Sequence, residues 1–202
     1  MTDSFKTISS PSEGLFKDKG SKFLAFAYPV SNEEEIGQIL NSMRKEFHDA
    51  RHHCYAWMLG EEKEHFRVND DGEPSNSAGK PILGQIQSKD LSNILIVVVR
   101  YFGGTLLGIG GLMQAYKTAA KEALESAKII KKYIHKIYLV QFKYEEMNSV
   151  MKVLKDLRLE HFDQVFELNC SLKVRVKRSV HEKFEKSFEL NENIKIEFIR
   201  EE

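Results

Sequence analysis

Three carboxylates, Asp70, Asp71 and Glu73, crowd the short stretch DDGEP. At this spacing they can assist a metal ion, share acid–base work, or simply cap exposed N–H groups at a helix start. The flanking residues describe local structure. Gly72 can take the positive φ of a tight turn, and Pro74 forces Glu73 towards an extended conformation. Ser75 and Ser77 then fall where a helix N-cap is wanted. Pro81 is tolerable in the first turn, because the N–H groups there have no intrahelical partner. The segment therefore predicts strand, tight turn and helix start, with the chemical and capping roles of the acids both open.

A chemical role needs partners. Arg100 ends the apolar run NILIVVVRYF, where a charge must pair or reach water. His52 and His53 precede another apolar strand, HCYAWML. Carboxylate, imidazole and guanidinium at strand ends would make a pocket suited to acid–base work or oxyanion binding. His52 can equally be a hydrogen-bonded structural histidine. Cys54, inside its strand with no activating residue in view, is expected to be inert core. Gly108, Gly110 and Gly111 lie between a strand and a helix, a place where backbone N–H groups can cradle an anion. The run GIGGLM satisfies neither GxGxxG nor GxxxxGK[ST], so close backbone packing is the competing explanation.

The elements that must position these residues follow from periodicity. SKFLAFAYPV alternates as a strand, with Phe23, Ala25 and Ala27 on one face. Ser31 and Asn32 offer an N-cap before Glu33, Glu34 and Glu35, and Ile36, Ile39, Leu40 and Met43 give that helix its apolar stripe, ending near His48. HCYAWML and EHFRVN form two strands around the turn Gly60–Lys63. NILIVVVRYF has the continuous apolarity of a strand covered on both faces. A helix is expected from about Leu112 to Lys128.

Beyond a boundary near Ala127–Ile130, the pattern changes. Strands near Tyr133–Lys143, Glu160–Leu168, Cys170–Arg178 and Ile194–Arg200, with helices near Glu145–Leu157 and Val180–Leu190, give the order βαββαβ of the ferredoxin-like motif. Lys173, Arg175 and Lys177 alternate with Leu172, Val174 and Val176, which puts three cations on one sheet face. That face, near Tyr138 or Phe142, can bind RNA or can simply be solvated.

Composition narrows the classes. The 202 residues are 42% hydrophobic, with 30 Lys plus Arg and 30 Asp plus Glu, so no bulk charge calls for nucleic acid or membrane. The longest apolar run, Ile94–Val99, is too short to span a bilayer, and MTDSFKTISSPSEG lacks a signal-peptide pattern. Cys54 and Cys170 suggest neither zinc nor a disulfide framework. A cytoplasmic location and no cofactor or metal are expected.

Three blocks carry a family resemblance: HDARHHCYAW (His48–Trp57), DDGEPSNSAGKP (Asp70–Pro81) and VVVRYFGGTLLGIGGLMQAY (Val97–Tyr116). In this order they resemble the IMPACT family, in particular its bacterial YigZ-type branch. By position, His52 matches the family's histidine after the first helix. Asp70, Asp71, Gly72 and Glu73 match its acidic turn, with Lys80 in the same block, and Arg100, Gly103 and Gly104 match its strand-end motif. The bacterial pattern has Gly-Thr where this chain has Asn76-Ser77; serine keeps the hydroxyl, and Asn76 can still adopt a left-handed conformation.

The resemblance implies an α+β protein. Residues 1–128 would form a ribosomal-protein domain-2-like two-layer sandwich, with helices on one face of the sheet. Residues 129–202 would form a ferredoxin-like domain similar to one in elongation factor G. It also implies a link to translation. Eukaryotic relatives restrain a starvation-sensing kinase through an additional N-terminal domain. This sequence begins directly with the shared domain, so that role is not expected of it. The reading adopted is a non-enzymatic factor contacting RNA, the ribosome or a ribosome-bound protein. The alternative is a metal-assisted hydrolase of a phosphorylated substrate, using Asp70, Asp71, Glu73 and His52.

Overall fold

The computed structural model describes residues 3–201; Met1, Thr2 and Glu202, the outer ends of the two expected domains, lie outside the described residues. Two compact units emerge, Phe5–Lys132 and the chain from Tyr133 onward together with Asp3 and Ser4. The division falls after Lys132 rather than 128, because the strand at 129–133 belongs largely to the first unit.

The first unit is built on five strands: β2 (Ser12–Asp18), β3 (Ser21–Pro29), β4 (His52–Leu59), β5 (His65–Asn69) and β6 (Ile94–Tyr101). Their order is β2-β3-β6-β4-β5, with every neighbouring pair antiparallel. β1 (Ser4–Ile8) and β7 (Ile129–Tyr133) pair separately. The N-terminal strands β1 and β2 are not expected from the sequence, because SFKTI and SEGLFKD carry no sustained apolar alternation.

Helix α1 (Glu33–Glu46) starts as its sequence requires. Asn32 accepts from the Glu35 N–H at 2.9 Å, while Glu35 reaches back to the Ser31 N–H at 2.8 Å. α2 (Gly79–Ser88) and α3 (Gly108–Glu125) complete the unit. α3 begins one turn before the expected Leu112, so Gly108, Gly110 and Gly111 lie in its first turn rather than in a connecting loop.

Because side chains alternate across a strand, the two sheet faces make two cores. Phe23, Ala25, Cys54, Ala56, Ile96 and Val98 pack with residues of α2 and α3. Tyr55, Trp57, Leu95, Val97 and Val99 pack with Ile36 and Met43 of α1. The α+β class stands, but the layering differs from the expected helices on one face: α1 covers the other. The uninterrupted apolarity of β6 already required this, since a strand with one wet face would alternate with polar residues.

The second unit contains β8 (His135–Lys143), α4 (Met147–Asp156), β9 (Glu160–Val165), β10 (Asn169–Lys177), α5 (His181–Lys186) and β11 (Ile194–Glu201). Its sheet order, β11-β8-β10-β9, places consecutive strands β8 and β9 on either side of β10, as the split βαββαβ arrangement demands. α5 is shorter than the expected helix to Leu190. Among the described residues, no helix is long and apolar enough to cross a membrane.

Candidate functional site

The acidic turn resolves into three carboxylates with three different tasks. The Glu73 N–H donates to the Asp70 carbonyl at 2.9 Å, closing a four-residue turn. Both central residues have positive φ, Asp71 at 41° and Gly72 at 87°. Asp-Gly is the dipeptide such a turn favours, because neither residue is strongly penalised there. Asp70 then caps α2 from a distance. Its Oδ1 accepts from the N–H groups of Ala78 (3.0 Å) and Gly79 (2.8 Å), and its Oδ2 from that of Asn76 (2.8 Å). Asn76 has a φ of 64°, the left-handed conformation expected of it.

The expected serine cap is therefore not used. Ala78 occupies the N-cap position, and the Ser77 hydroxyl donates instead to the Pro74 carbonyl. Asp71 faces the α1 side, where its carboxylate accepts from the His53 N–H (2.7 Å) and from Arg44 Nη2 (3.0 Å). His53 itself is buried, its Nε2 without a partner among the described residues. Burial holds its pKa below the ordinary histidine value, outweighing the opposing pull of Asp71.

Glu73 turns the other way. Its side chain is only 4% exposed, and Oε1 accepts from Arg100 Nη1 at 2.6 Å and from the Tyr116 hydroxyl at 2.8 Å. Arg100 is likewise buried, so the charge at the end of β6 is paired rather than solvated. Its guanidinium lies over the rings of Phe23 and Phe102, 5.4 and 5.7 Å from their centroids. His52 stands directly opposite Arg100 in the β4–β6 register. Its Nδ1 lies 2.9 Å from the Asp71 carbonyl oxygen, which can only accept, so Nδ1 carries the proton in the neutral ring. Nε2 is thereby left as an acceptor, 4.0 Å from Glu73 Oε1.

His52, Glu73 and Arg100 line a cleft of about 470 Å³, together with Arg51, Phe102 and the α3 start at Leu107–Ile109. Asp70 and Asp71 do not line it. The three carboxylates thus diverge, and among the described residues no group of three His, Cys, Asp or Glu side chains is placed to hold a metal. Lys80 is exposed on α2 and also lies outside the cleft lining.

Cys54 is fully buried, 3.0 Å from the Asp70 carbonyl oxygen and 3.3 Å from the Tyr116 hydroxyl. Burial pushes its thiol far above the ordinary range, and the Tyr116 hydroxyl moves the same way for the same reason. Neither ionises near neutral pH. Tyr116 went unnoticed as a site residue in the sequence because an aromatic on an apolar helix face looks like any core position. The only available signal was its hydroxyl, which a buried site must satisfy.

The glycines divide by cause. A Cβ on Gly103 would stand 1.9 Å from the Gly20 carbonyl carbon, so close backbone packing explains Gly103. Gly104 and Gly108 have positive φ with open space around them, and Gly110 has open space without it. Close packing therefore does not account for the whole run.

In the second unit, Lys173, Arg175 and Lys177 do share one sheet face, but that face is not bare. Lys173 pairs with Asp163 at 2.8 Å, Arg175 with Glu160 at 3.1 Å, and the Lys177 ammonium lies 4.8 Å from the Tyr133 ring centroid. Tyr138 and Phe142 are not beside these cations. Both belong to the buried core on the opposite face, by the alternation that exposes Lys173.

Comparison with known proteins places this geometry in a family context. Residues 19–124 match the Impact N-terminal domain. YigZ of Escherichia coli, an IMPACT family member, is 36% identical over 138 residues, spanning 67% of this chain and 68% of its own. YvyE of Bacillus subtilis, also an IMPACT family member, is 31% identical over 188 residues, spanning 93% and 85%. A crystal structure of a hypothetical protein superposes over 99% of both chains, with a TM-score of 0.71 and 28% identity.

Proposed function

The chain belongs to the IMPACT family, and on that footing we propose that it is a translation-associated binding factor that engages the ribosome or a component bound to it. The observation that carries this reading is the convergence of three family-motif residues, His52, Glu73 and Arg100, on one concave cleft. Phe102, Leu106 and Ile109, large apolar residues left exposed, border that cleft, and Leu106 is 83% exposed. Apolar groups at the rim with few convergent polar groups on the floor suit recognition. Two of the acids act as scaffold: the Asp70 carboxylate holds the start of α2, and the Asp71 carboxylate holds the His53 N–H and Arg44, while the Asp71 backbone carbonyl fixes the His52 tautomer. The β10 cations, two of them already paired with carboxylates, contribute a secondary electrostatic component.

Ribosome sedimentation across a salt series tests the reading. Wild-type protein is expected to co-sediment at low salt and to be lost progressively as phosphate contacts yield to counterions. Leu106→Glu with Ile109→Glu should abolish co-sedimentation, whereas the Lys173→Glu, Arg175→Glu, Lys177→Glu variant should retain part of it. Absence of wild-type co-sedimentation at low salt overturns the proposal.

One observation favours an enzymatic second reading. His52 presents Nε2 as a base within a cleft that also holds Glu73 and Arg100. Under that reading His52→Gln removes all turnover while leaving binding within a factor of a few.

A further inference from the structure

We infer that the apolar rim of the cleft, extended along α3 by Met113, docks an acidic amphipathic helix of a partner protein. This rests on the reading of the cleft as the recognition site and adds the class of partner. Four large apolar side chains stand exposed there: Phe102 (48%), Leu106 (83%), Ile109 (61%) and Met113 (44%). The first three line the cleft, and Met113 follows Ile109 by one helical turn on the same face of α3. Single exposed apolar residues need no explanation, whereas several side by side mark a surface that another molecule covers. The loop that presents Leu106 is bracketed by Gly104 and Gly108, at φ values of 87° and 68°, a backbone that other residues rarely adopt.

The shape of the row suits a helix. Ile109, Met113 and Lys117 succeed one another at one-turn intervals, so the row runs about 12 Å along α3. A second helix lying beside α3 meets such a row with its own residues at i, i+4 and i+7. Two to three turns of partner, roughly ten residues, are long enough to cover it.

Charge selects the kind of helix. Residues 91–121 hold Arg100, Lys117 and Lys121 and no Asp or Glu. Glu73, the acid that lines the cleft, is buried against Arg100, so its charge is already matched. The charges exposed to a partner are Arg51, which lines the cleft, and Lys117 on α3. Carboxylates flanking an apolar stripe complement both. A second copy of this chain, docked through the same face by two-fold symmetry, would set cation against cation. RNA fits less well, because aliphatic side chains neither neutralise phosphate nor stack bases, and Phe102 is the one aromatic among the four.

Amide NMR of the full chain decides the matter, with three probes: a helical peptide with a leucine stripe flanked by glutamates, the same peptide with lysine for glutamate, and an oligouridylate. The acidic peptide is expected to shift the amides of residues 106–117. The basic peptide should bind roughly tenfold more weakly, and the oligouridylate should leave those amides unmoved. Lys117→Glu should fold normally, since an acid four residues before Lys121 suits a helix. It should weaken the acidic peptide about fivefold and strengthen the basic one by a similar factor. Met113→Gln should weaken both peptides alike, because it removes apolar contact and no charge.

No shift at millimolar acidic peptide, equal affinity for the two peptides, or tighter binding of the oligouridylate at the same amides would overturn the inference. So would self-association of the wild-type chain that Met113→Gln abolishes. Peptide binding without ribosome co-sedimentation would count against the proposed function alone. Co-sedimentation without peptide binding would count against this inference alone.

Discussion

Glu73 and Arg100 are each buried to a degree that an isolated charge cannot tolerate, and each is tolerable only because of the other. Such a pair is costly to break and cheaper to delete. Glu73→Ala should lower the unfolding free energy by about 3–5 kcal/mol, since it leaves the guanidinium uncompensated. Adding Arg100→Met should return at least half of that loss, and urea unfolding of the two single variants and the double variant measures the coupling directly. A second residue reads out as pH dependence. His53 has a pKa held below its ordinary 6.5 by burial, so the folded state binds its proton less readily than the unfolded chain does. Its contribution is therefore fully present above pH 6.5 and is lost as pH falls below that value towards the folded-state pKa. Unfolding midpoints at pH 7.5 and 5.5 should differ less in His53→Phe than in wild type.

The positions of these residues depend on contacts between elements. β4 and β6 bring His52 and Arg100 opposite one another, and the turn after β5 delivers Glu73 between them. The turn is held by Asp70, whose carboxylate bonds to backbone six to nine residues away and so ties the end of one element to the start of the next. A different junction, between the β2–β3 hairpin and the end of β6, depends on two glycines. Gly20 has a φ of +80° and lies against Gly103, where no Cβ fits. Gly103→Ala should therefore cost about 3 kcal/mol by forcing the two backbones apart. Thermal unfolding measures that cost.

The two units have separate cores, one divided between the faces of the five-stranded sheet and the other under the four-stranded sheet. Each buries its own apolar faces, so each is expected to open with its own free energy. Native-state hydrogen exchange should then give distinct maximal opening energies for Val98 in β6 and Val174 in β10. A single shared value would show one cooperative unit instead. The basic face of β10 belongs to the unit outside the family-matched residues 19–124, which is why its substitution is expected to leave part of the ribosome co-sedimentation in place.

Much of this architecture was legible before any coordinates. The alternation in SKFLAFAYPV, the doubly apolar NILIVVVRYF, the Asn32 cap and the βαββαβ order all express interactions between near neighbours in sequence, and near neighbours are what periodicity records. Gly72 with its positive φ was legible for the same reason, because a four-residue turn is a local object. What each carboxylate does was not. Asp70, Asp71 and Glu73 are chemically alike and nearly adjacent, yet one caps a helix, one holds two groups on the α1 side, and one pairs with a guanidinium 27 residues away. Likewise, the chain marks Lys173 and Arg175 as outward-facing cations but cannot show that Asp163 and Glu160, on the neighbouring strand, already neutralise them. Backbone propensity acts within a few residues, so it can be read along the chain. Charge pairing acts through space between elements, and only the folded arrangement of strands and helices decides which carboxylate meets which cation.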